Sequence, residues 1–416
     1  MKPLPPKGIP APQVFDELES LRADDVDWRN GKVFSLAYYA GPQAIAVAED
    51  AYRRFSGENA LSTDAFPSLR IMQQDVLSMV GPWLGAHKDS AGFMTSGGTE
   101  SILMVVKAAR DQFAQTRGVA TPNIVLPTSA HAAFEKACHY FGVESRRSAV
   151  GQDWRADIAA MERLIDDNTV MLVASAPQYP QGVVDDVTGI AALASSRGIN
   201  CHVDACMGGV TLAYLVKLGH PIPAWNLSVP GVTSISVDLH KYGYTSKGAS
   251  VVMYSSKSLR AHQGFFTDNW LGGMYASSGM LGTKSGGSIA SAWAVLRHLG
   301  DDGYTALVRQ TRNATEQLAN HIVAHPHLVL RAYPDSTLIC FGAADPSVLN
   351  VFAVADELRI RGWYVDRQTP PDSLHCTVNA IHHDKIDAFV VDLDASIELV
   401  LSTRLSGDVG SYGNLE

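Results

Sequence analysis

Lys241 is the residue of this sequence that most directly suggests catalytic chemistry. It follows the apolar segment 232–237, which is rich in β-branched residues and predicts a buried strand, and it is preceded by His240. A lysine at the rim of a core loses hydration, and Lys247 adds a second cation nearby in the chain. We therefore expect the pKa of Lys241 to be shifted towards the neutral amine, which attacks an aldehyde to form an imine. The same position is also compatible with a solvated strand end, because lysine is seldom buried.

A glycine-rich segment has the composition of an anion-binding helix start. Gly97, Gly98 and Thr99 follow an apolar segment and precede apolar residues at helical spacing. Glycine permits close approach of the backbone, and the free N–H groups of a new helix bind a phosphate. The segment is equally typical of an ordinary helix cap.

Asp204 completes a set of residue types that a pyridine cofactor requires. It ends the short apolar segment 200–203, and a carboxylate there can pair with a protonated pyridine nitrogen, which makes the ring an electron sink. An aspartate after a strand also commonly begins a turn. The phosphate-binding segment, Asp204 and Lys241, with His131 between the first two, occur in the chain order of a pyridoxal 5′-phosphate (PLP) site.

A zinc site built from His202, Asp204, Cys206 and His240 is the competing interpretation. The spacing of these four residues matches no C-x2-C or H-E-x-x-H pattern. We therefore expect no metal, and we expect Cys206 to be a small core residue.

The elements that must position these residues are visible as alternating apolar segments. Between residues 85 and 254, short predicted strands alternate with helical segments, and the strands lie at 124–126, 170–174, 201–203, 232–237 and 249–254. This alternation predicts an α/β fold with a mostly parallel sheet of about seven strands and helices on both faces. Ligands of such sheets bind at the carboxyl ends of the strands, where Asp204 and Lys241 fall.

The remainder of the chain suggests three parts. Residues 1–84 form an N-terminal arm with helices, 85–300 a large PLP-binding domain, and 301–416 a smaller C-terminal α/β domain. The segment 272–288 is rich in glycine and serine and predicts a long loop, which in a compact enzyme is often functional.

Composition is that of an ordinary globular enzyme. The chain has 416 residues, 46% hydrophobic and 18% charged, with a net charge of −9 and no basic cluster, which argues against nucleic acid and anionic membranes as partners. We find no apolar run long enough for a transmembrane helix and no secretory signal. The five scattered cysteines are typical of a reducing compartment, so we expect a cytoplasmic protein without a membrane anchor.

Several motifs together resemble the sphingosine-1-phosphate lyase family. The matching stretches are 25–29 with 31–33, 66–70, 94–101, 131–137, 175–180 and 234–252, and the resemblance extends from about residue 7 to 392. These lyases are PLP enzymes of fold type I, related to the group II amino-acid decarboxylases. The resemblance implies the aspartate-aminotransferase-like fold and a homodimer with shared active sites, in which the N-terminal arm crosses to the partner.

The resemblance also implies roles for individual residues. Lys241 is the imine-forming lysine, Asp204 the partner of the pyridine nitrogen, and His131 the ring stacked on the cofactor, which Gly97, Gly98, Thr99 and His240 also contact. Tyr179, His240 and Lys247 lie close to the reaction. The residues expected to bind the substrate, chiefly its phosphate, are Tyr38, Asn59, Ser62, Lys247 and Lys284.

Two positions depart from the family pattern. Ser62 stands where the lyases usually have a phosphate-handling histidine, and Lys284 replaces an arginine, so a bidentate guanidinium becomes an ammonium. The implied reaction is retro-aldol cleavage of a phosphorylated sphingoid base to a long-chain aldehyde and phosphoethanolamine. Three alternatives remain open: an amino-acid α-decarboxylase, a retro-aldol lyase for a non-phosphorylated β-hydroxy amine, and a protein of this fold without catalytic activity.

Overall fold

The computed structural model describes residues 3–408. Helix α1 (Ala11–Leu21) buries none of its residues, whereas α2 (Pro42–Arg54) and α3 (Pro67–Val80) pack on the main body of the protein. Helices α2 and α3 both begin with proline. The fixed φ of proline suits the first helical turn, and proline's lack of an N–H costs no hydrogen bond there, because the first N–H groups of a helix have no partner within it.

A seven-stranded sheet forms the centre of the molecule. Its strands are β1 (Ala91–Thr95), β2 (Asn123–Pro127), β3 (Glu144–Ser148), β4 (Thr169–Ser175), β5 (Asn200–Asp204), β6 (Ser234–Asp238) and β7 (Ser250–Tyr254). The spatial order is β1-β7-β6-β5-β4-β2-β3, and only β7 runs antiparallel to its two neighbours. The predicted mostly parallel sheet is confirmed.

Helices connect and cover these strands. They are α4 (Gly98–Arg117), α5 (Ala133–Phe141), α6 (Ile158–Glu162), α7 (Val187–Arg197), α8 (Thr211–Lys217) and α9 (Lys257–Ala261). Strands β2, β4, β5 and β6 are buried along their whole length, which is why they appear in the sequence as continuous apolar runs rather than alternating ones.

The predicted loop 272–288 contains a strand, which corrects the sequence interpretation. Strand β8 (Phe265–Thr267) pairs antiparallel with β9 (Tyr275–Ser277), and the remainder of the segment leads into α10 (Gly287–Ala324). Three-residue strands give too short a pattern to be recognised among glycines and serines.

A second sheet and core follow α10. Strands β10 (Leu328–Leu330), β11 (Leu338–Ala343), β12 (Asp366–Gln368) and β13 (Ser373–Thr377) form an antiparallel sheet in the order β10-β11-β13-β12, with α11 (Val351–Ile360) and α12 (Ile386–Thr403) packed on it. Helix α10 is interrupted at Gly300, whose φ of 58° and ψ of −175° are not helical. The predicted boundary at residues 300/301 falls there, and the division into three parts remains a prediction.

The aromatic arm packs inside its own chain. Phe34 is fully buried, its ring lies 4.1 Å from that of His382, and its N–H donates to the carbonyl of Tyr364 at 2.9 Å. The arm therefore runs along the second sheet towards the first. Within residues 3–408, no helix is long and apolar enough to cross a membrane.

Candidate active site

One cavity gathers the residues predicted to bind the cofactor and to act on the substrate. It has a volume of about 460 Å³ and lies where β5 and β6 end and α4 begins. The predicted site residues that line it are Gly97, Gly98, Thr99, His131, Tyr179, Asp204, His240, Lys241 and Lys247. Residues from separate elements meet here because the carboxyl ends of parallel strands share one edge of the sheet.

Lys241 forms an ion pair that the sequence did not predict. Its Nζ lies 3.0 Å from Oδ2 of Asp238, the last residue of β6, and 23% of its side chain remains exposed to the cavity. Burial by itself would lower the pKa of Lys241, but the carboxylates of Asp238 and Asp204 raise it above the ordinary value. Our expectation of a neutral amine is therefore wrong, because the nearby carboxylates outweigh desolvation.

Asp238 is itself held as an anion. Burial opposes its charge, yet Lys241 and His240 lower its pKa below the ordinary value. The carboxylate is almost fully buried, and its Oδ1 has no hydrogen-bond partner among the described residues. Asp238 lies three residues before Lys241 in the sequence, and this spacing could have suggested their ion pair.

Glycine at position 98 is required by close packing. A Cβ there would lie 2.8 Å from Asp238 Oδ2 and 2.8 Å from Cys206 Sγ, closer than real Cβ contacts. Gly97 is the N-cap residue of α4 and Gly98 its first residue, and the first amides of a helix have no partner within the helix. The N-terminus of α4 therefore presents N–H donors and the positive end of a helix dipole to the cavity.

Glu100 fixes this helix start. Its Oε2 accepts the N–H of Ser96 at 2.6 Å, and its Oε1 accepts the N–H of Met280 at 2.8 Å. The side chain thus connects the beginning of α4 to the segment that follows β9. Sequence reasoning assigned Glu100 no role, although a glutamate in the first helical turn is a capping signal.

Asp204 and His131 line the same cavity, Asp204 from the end of β5 and His131 from the loop between β2 and α5. Oδ1 of Asp204 accepts the N–H of Cys206 at 3.0 Å, and Nδ1 of His131 accepts the N–H of Ala133 at 3.1 Å. Burial lowers the pKa of His131, with Lys241 adding to the shift and Asp204 opposing it. The imidazole is therefore neutral near pH 7, and Nε2 carries its proton.

His240 and Lys247 are also fixed by backbone carbonyls. Nδ1 of His240 donates to the carbonyl of Ala249 at 2.8 Å, and burial lowers the pKa of this histidine. Nζ of Lys247 donates to the carbonyl of Leu36 at 2.8 Å. Although part of the Lys247 side chain is open to solvent, desolvation by the surrounding walls and the charge of Lys241 lower its pKa to about 8.

Tyr38 does not line the cavity, but it contacts two residues that do. Nζ of Lys247 lies 5.2 Å from the centre of the Tyr38 ring, and the Tyr38 hydroxyl is 3.8 Å from the sulfur of Met207, which lines the cavity. The arm therefore contacts Lys247 through the Tyr38 ring and the Leu36 carbonyl.

The Tyr179 hydroxyl is held by a residue that the sequence did not reveal. It donates to Oδ2 of Asp366 in β12 at 2.6 Å, and its ring lies 4.2 Å from that of His375. Asp366 is separated from Tyr179 by 187 residues and belongs to the other sheet, so no local pattern predicts the contact.

Asn59, Ser62 and Lys284 do not line the cavity that contains Lys241. The amide of Asn59 lies 3.4 Å from the Thr283 hydroxyl, and the N–H of Ser62 donates to the carbonyl of Asn59. Lys284 lines a different cavity, of about 360 Å³, together with Arg70 and Arg260. Within one chain Lys247 lines the cavity that contains Lys241, Lys284 lines the other cavity, and Asn59 and Ser62 line neither of these two. The roles of these residues in substrate binding remain predictions.

The zinc interpretation finds no support in the geometry. Within residues 3–408, no group of three or more histidine, cysteine, aspartate and glutamate side chains is arranged to hold a metal ion. His202 instead bonds to Ser234 at 2.9 Å inside the sheet, and Cys206 is buried.

Comparison with known proteins identifies the family. Residues 4–344 match the family model described as the pyridoxal-dependent decarboxylase conserved domain. The chain belongs to this family. Among curated relatives of this pyridoxal-dependent decarboxylase, sphingosine-1-phosphate lyase 1 of Rattus norvegicus is 38% identical over 99% of this chain and 72% of its own length. Sphingosine-1-phosphate lyase of Oryza sativa is also 38% identical, over 95% of this chain and 74% of its own.

Solved structures agree with this placement. The sphingosine-1-phosphate lyase of Burkholderia pseudomallei superimposes with a TM-score of 0.92 at 33% identity, covering 97% of this chain and 94% of that one. A glutamate decarboxylase of Lactobacillus brevis superimposes with a TM-score of 0.84 at 19% identity, covering 96% and 94%, which shows the shared fold. The predicted fold type and family resemblance are confirmed.

The cofactor of this pyridoxal-dependent decarboxylase family member is PLP, as predicted. The residues present fit it: Gly97, Gly98 and Thr99 at the start of α4 line the same cavity as Asp204, His131 and Lys241. The chain is a PLP-dependent lyase.

Proposed function

We propose that this enzyme cleaves a phosphorylated sphingoid base such as sphingosine-1-phosphate to a long-chain aldehyde and phosphoethanolamine. The observation that carries the proposal is the similarity to sphingosine-1-phosphate lyases along nearly the whole chain. The arrangement of the site is compatible with this reaction in four respects.

The first respect is cofactor binding. Lys241 would hold PLP covalently through Nζ, the amides at the start of α4 would bind its phosphate, and Asp204 would pair with its ring nitrogen. The neutral ring of His131 would cover one face. When bound, PLP supplies an electron sink for the bond that breaks beside the amine-bearing carbon.

The second respect is proton transfer. Cleavage of the carbon–carbon bond requires a group that takes the proton of the β-hydroxyl. His240 has Nδ1 committed to a backbone carbonyl, which leaves Nε2 as the basic nitrogen, and Lys247 has a pKa lowered to about 8. Lys247 would either take part in proton transfer or bind the substrate phosphate as a cation.

The third respect is room for a hydrocarbon chain. A cavity of about 730 Å³ shares His131 and Tyr179 with the PLP cavity, and Val150, Trp154 and Pro180 contribute to its walls. Burying each CH₂ group in such surroundings contributes about 0.8 kcal/mol, so a long alkyl chain would add substantially to substrate affinity.

The fourth respect is a concentration of positive charge. Arg70, Arg260 and Lys284 line the second cavity, and Ala60 and Leu61, which lie between Asn59 and Ser62 in the chain, line it too. In a homodimer with shared active sites, these residues would serve the site of the partner subunit, which would reconcile their separation from Lys241 with a role in phosphate binding.

Exposed apolar surface favours the homodimer. Helix α1 exposes Val14, Phe15, Leu18 and Leu21, which recur at helical spacing, and the β8–β9 region exposes Trp270 and Leu271. Because Phe34 packs within its own chain, we expect α1, rather than the aromatic stretch, to be the part of the arm that contacts the partner subunit. We also propose a cytoplasmic location, because all five cysteines are buried free thiols.

Product analysis tests the proposal directly. Incubation with sphingosine-1-phosphate should yield a long-chain aldehyde and phosphoethanolamine, and Ser62→His should improve use of the phosphate ester if Ser62 serves the phosphate site. Release of carbon dioxide from an amino acid, without aldehyde from the lipid, would instead establish an α-decarboxylase. Faster cleavage of the unphosphorylated base would establish a different retro-aldol specificity.

A further inference from the structure

A buried carboxylate lies directly behind Tyr179, outside the PLP cavity. Oδ2 of Asp366 accepts a hydrogen bond from the Tyr179 hydroxyl at 2.6 Å and another from the Ser35 hydroxyl. Asp366 is 9% exposed and does not line the cavity that contains Lys241. Tyr179 lines that cavity, and it lies between Lys241's cavity and the adjoining cavity of about 730 Å³, which both Tyr179 and Asp366 line.

The partners of this carboxylate are hydroxyl groups rather than cations. Among the ion pairs of residues 3–408, none includes Asp366, and the adjacent Arg367 pairs with Asp356 instead. His375, whose ring packs on Tyr179, is neutral because burial lowers its pKa to about 4. Oδ2 of Asp366 thus accepts hydrogen bonds from two hydroxyl groups and, within residues 3–408, from no cationic side chain.

The direction of the hydrogen bond between Tyr179 and Asp366 determines whether the Tyr179 hydroxyl donates to a substrate or accepts from it. A phenol has one proton, and Tyr179 donates that proton to Asp366. Its oxygen can therefore accept a hydrogen bond from a hydroxyl group in the cavity. The reaction of the proposed function needs such an acceptor for the β-hydroxyl proton.

We propose that Tyr179 and Asp366 form a two-residue proton relay, in which Asp366 is the positioning residue and final acceptor. As the β-hydroxyl proton moves to Oη of Tyr179, the phenolic proton moves to Oδ2 of Asp366. The O–H electron pair becomes the second bond of the aldehyde carbonyl, and the carbon–carbon pair stays with the amine-bearing carbon. The substrate loses one proton, Asp366 gains the phenolic one, and Tyr179 is again a neutral phenol. The inference rests on the proposed function.

Asp366→Asn tests the acceptor role, because an amide oxygen still accepts from Tyr179 but does not take up its proton. We expect kcat to fall about 10- to 100-fold, the range found when a hydrogen-bonded partner of a functional residue is removed, with KM within about twofold. Asp356→Asn is the matched control: it removes the exposed carboxylate paired with Arg367 and should leave kcat unchanged.

A double-mutant cycle tests whether Asp366 acts through Tyr179. If it does, Tyr179→Phe combined with Asp366→Asn should be no slower than Tyr179→Phe alone. If the losses of kcat in the two single variants multiply in the double variant, the two residues act separately. If Asp366→Asn leaves kcat unchanged, the Asp366 carboxylate takes up no proton. Either result overturns the relay.

Wild-type enzyme provides a measurement that does not depend on folding of a variant. Single-turnover rates in mixtures of H₂O and D₂O should follow a curved proton inventory, since two protons move together, and a linear inventory overturns the relay. Failure of the proposed function can be distinguished from failure of the relay alone. If the proposed function is wrong, wild-type enzyme releases no aldehyde from the phosphorylated base, and the relay is then overturned as well because no β-hydroxyl proton is transferred.

Discussion

Asp238 Oδ2 and Lys241 Nζ lie 3.0 Å apart at the carboxyl end of one strand, so the lysine that would bind PLP is held as a cation by a residue three positions earlier. An ammonium does not attack an aldehyde, and cofactor attachment therefore requires loss of this proton. Asp238 consequently affects the pH at which the enzyme acquires its cofactor.

Asp238→Asn should speed attachment of PLP to the apoenzyme at neutral pH. The carboxylate raises the pKa of Lys241, so removing it lowers that pKa and increases the neutral fraction at a given pH. Borohydride reduction at timed intervals, followed by peptide mapping, should place the pyridoxyl group on Lys241 and show the attachment profile moved to lower pH. A label on another lysine would contradict the assignment of Lys241, and Lys88→Ala, an exposed lysine, is the control.

Gly98→Ala should weaken PLP binding and destabilise the protein. The added Cβ would lie 2.8 Å from both Asp238 Oδ2 and Cys206 Sγ, and overpacking of this kind typically costs about 1–3 kcal/mol. Absorbance titration with PLP and thermal unfolding measure the two effects. Gly57→Ala is the matched control, because nothing lies within 4 Å of its Cβ position. Unaltered PLP affinity in Gly98→Ala would contradict a phosphate site at the start of α4.

Lys247→Ala should slow cleavage of the phosphorylated base by roughly ten- to a hundredfold, the equivalent of losing a charge-assisted contact of about 1.5–3 kcal/mol. The pH profile separates its roles, since its pKa is lowered to about 8. If Lys247 binds phosphate as a cation, activity should fall as pH rises through this value; if it acts as a neutral base, activity should rise. Lys247→Arg should retain activity only in the first case. No effect of Lys247→Ala would exclude both roles.

Phe15→Glu combined with Leu18→Glu should convert a homodimer to monomers. Both side chains are exposed within one chain, so the substitutions remove no packing there, whereas buried charges would oppose an interface. Sedimentation should show a dimer for the wild type and a lighter species for the variant. An active wild-type monomer would refute the proposed assembly.

Much of the PLP cavity could be predicted from short stretches of sequence. Gly97, Gly98, Asp204 and Lys241 each stand at an end of a strand or the beginning of a helix, and their local patterns predict those positions. A parallel sheet then brings strand ends to one edge, so their convergence follows from the fold class. The same reasoning missed β9 because a three-residue strand carries too little periodicity.

The sequence by itself determined the fold class, the cofactor and the residues that meet at the edge of the central sheet, because each depends on local patterns and on one general property of parallel sheets. Only the tertiary structure decided the charge of Lys241, since its burial and its closeness to Asp204 on the adjacent strand β5 depend on the fold, whereas Asp238 lies only three residues away in the chain. It likewise decided that Tyr179 meets Asp366 and that Lys284 faces a different cavity. These contacts join residues far apart in the chain, and they form only when the two sheets and the N-terminal arm pack together.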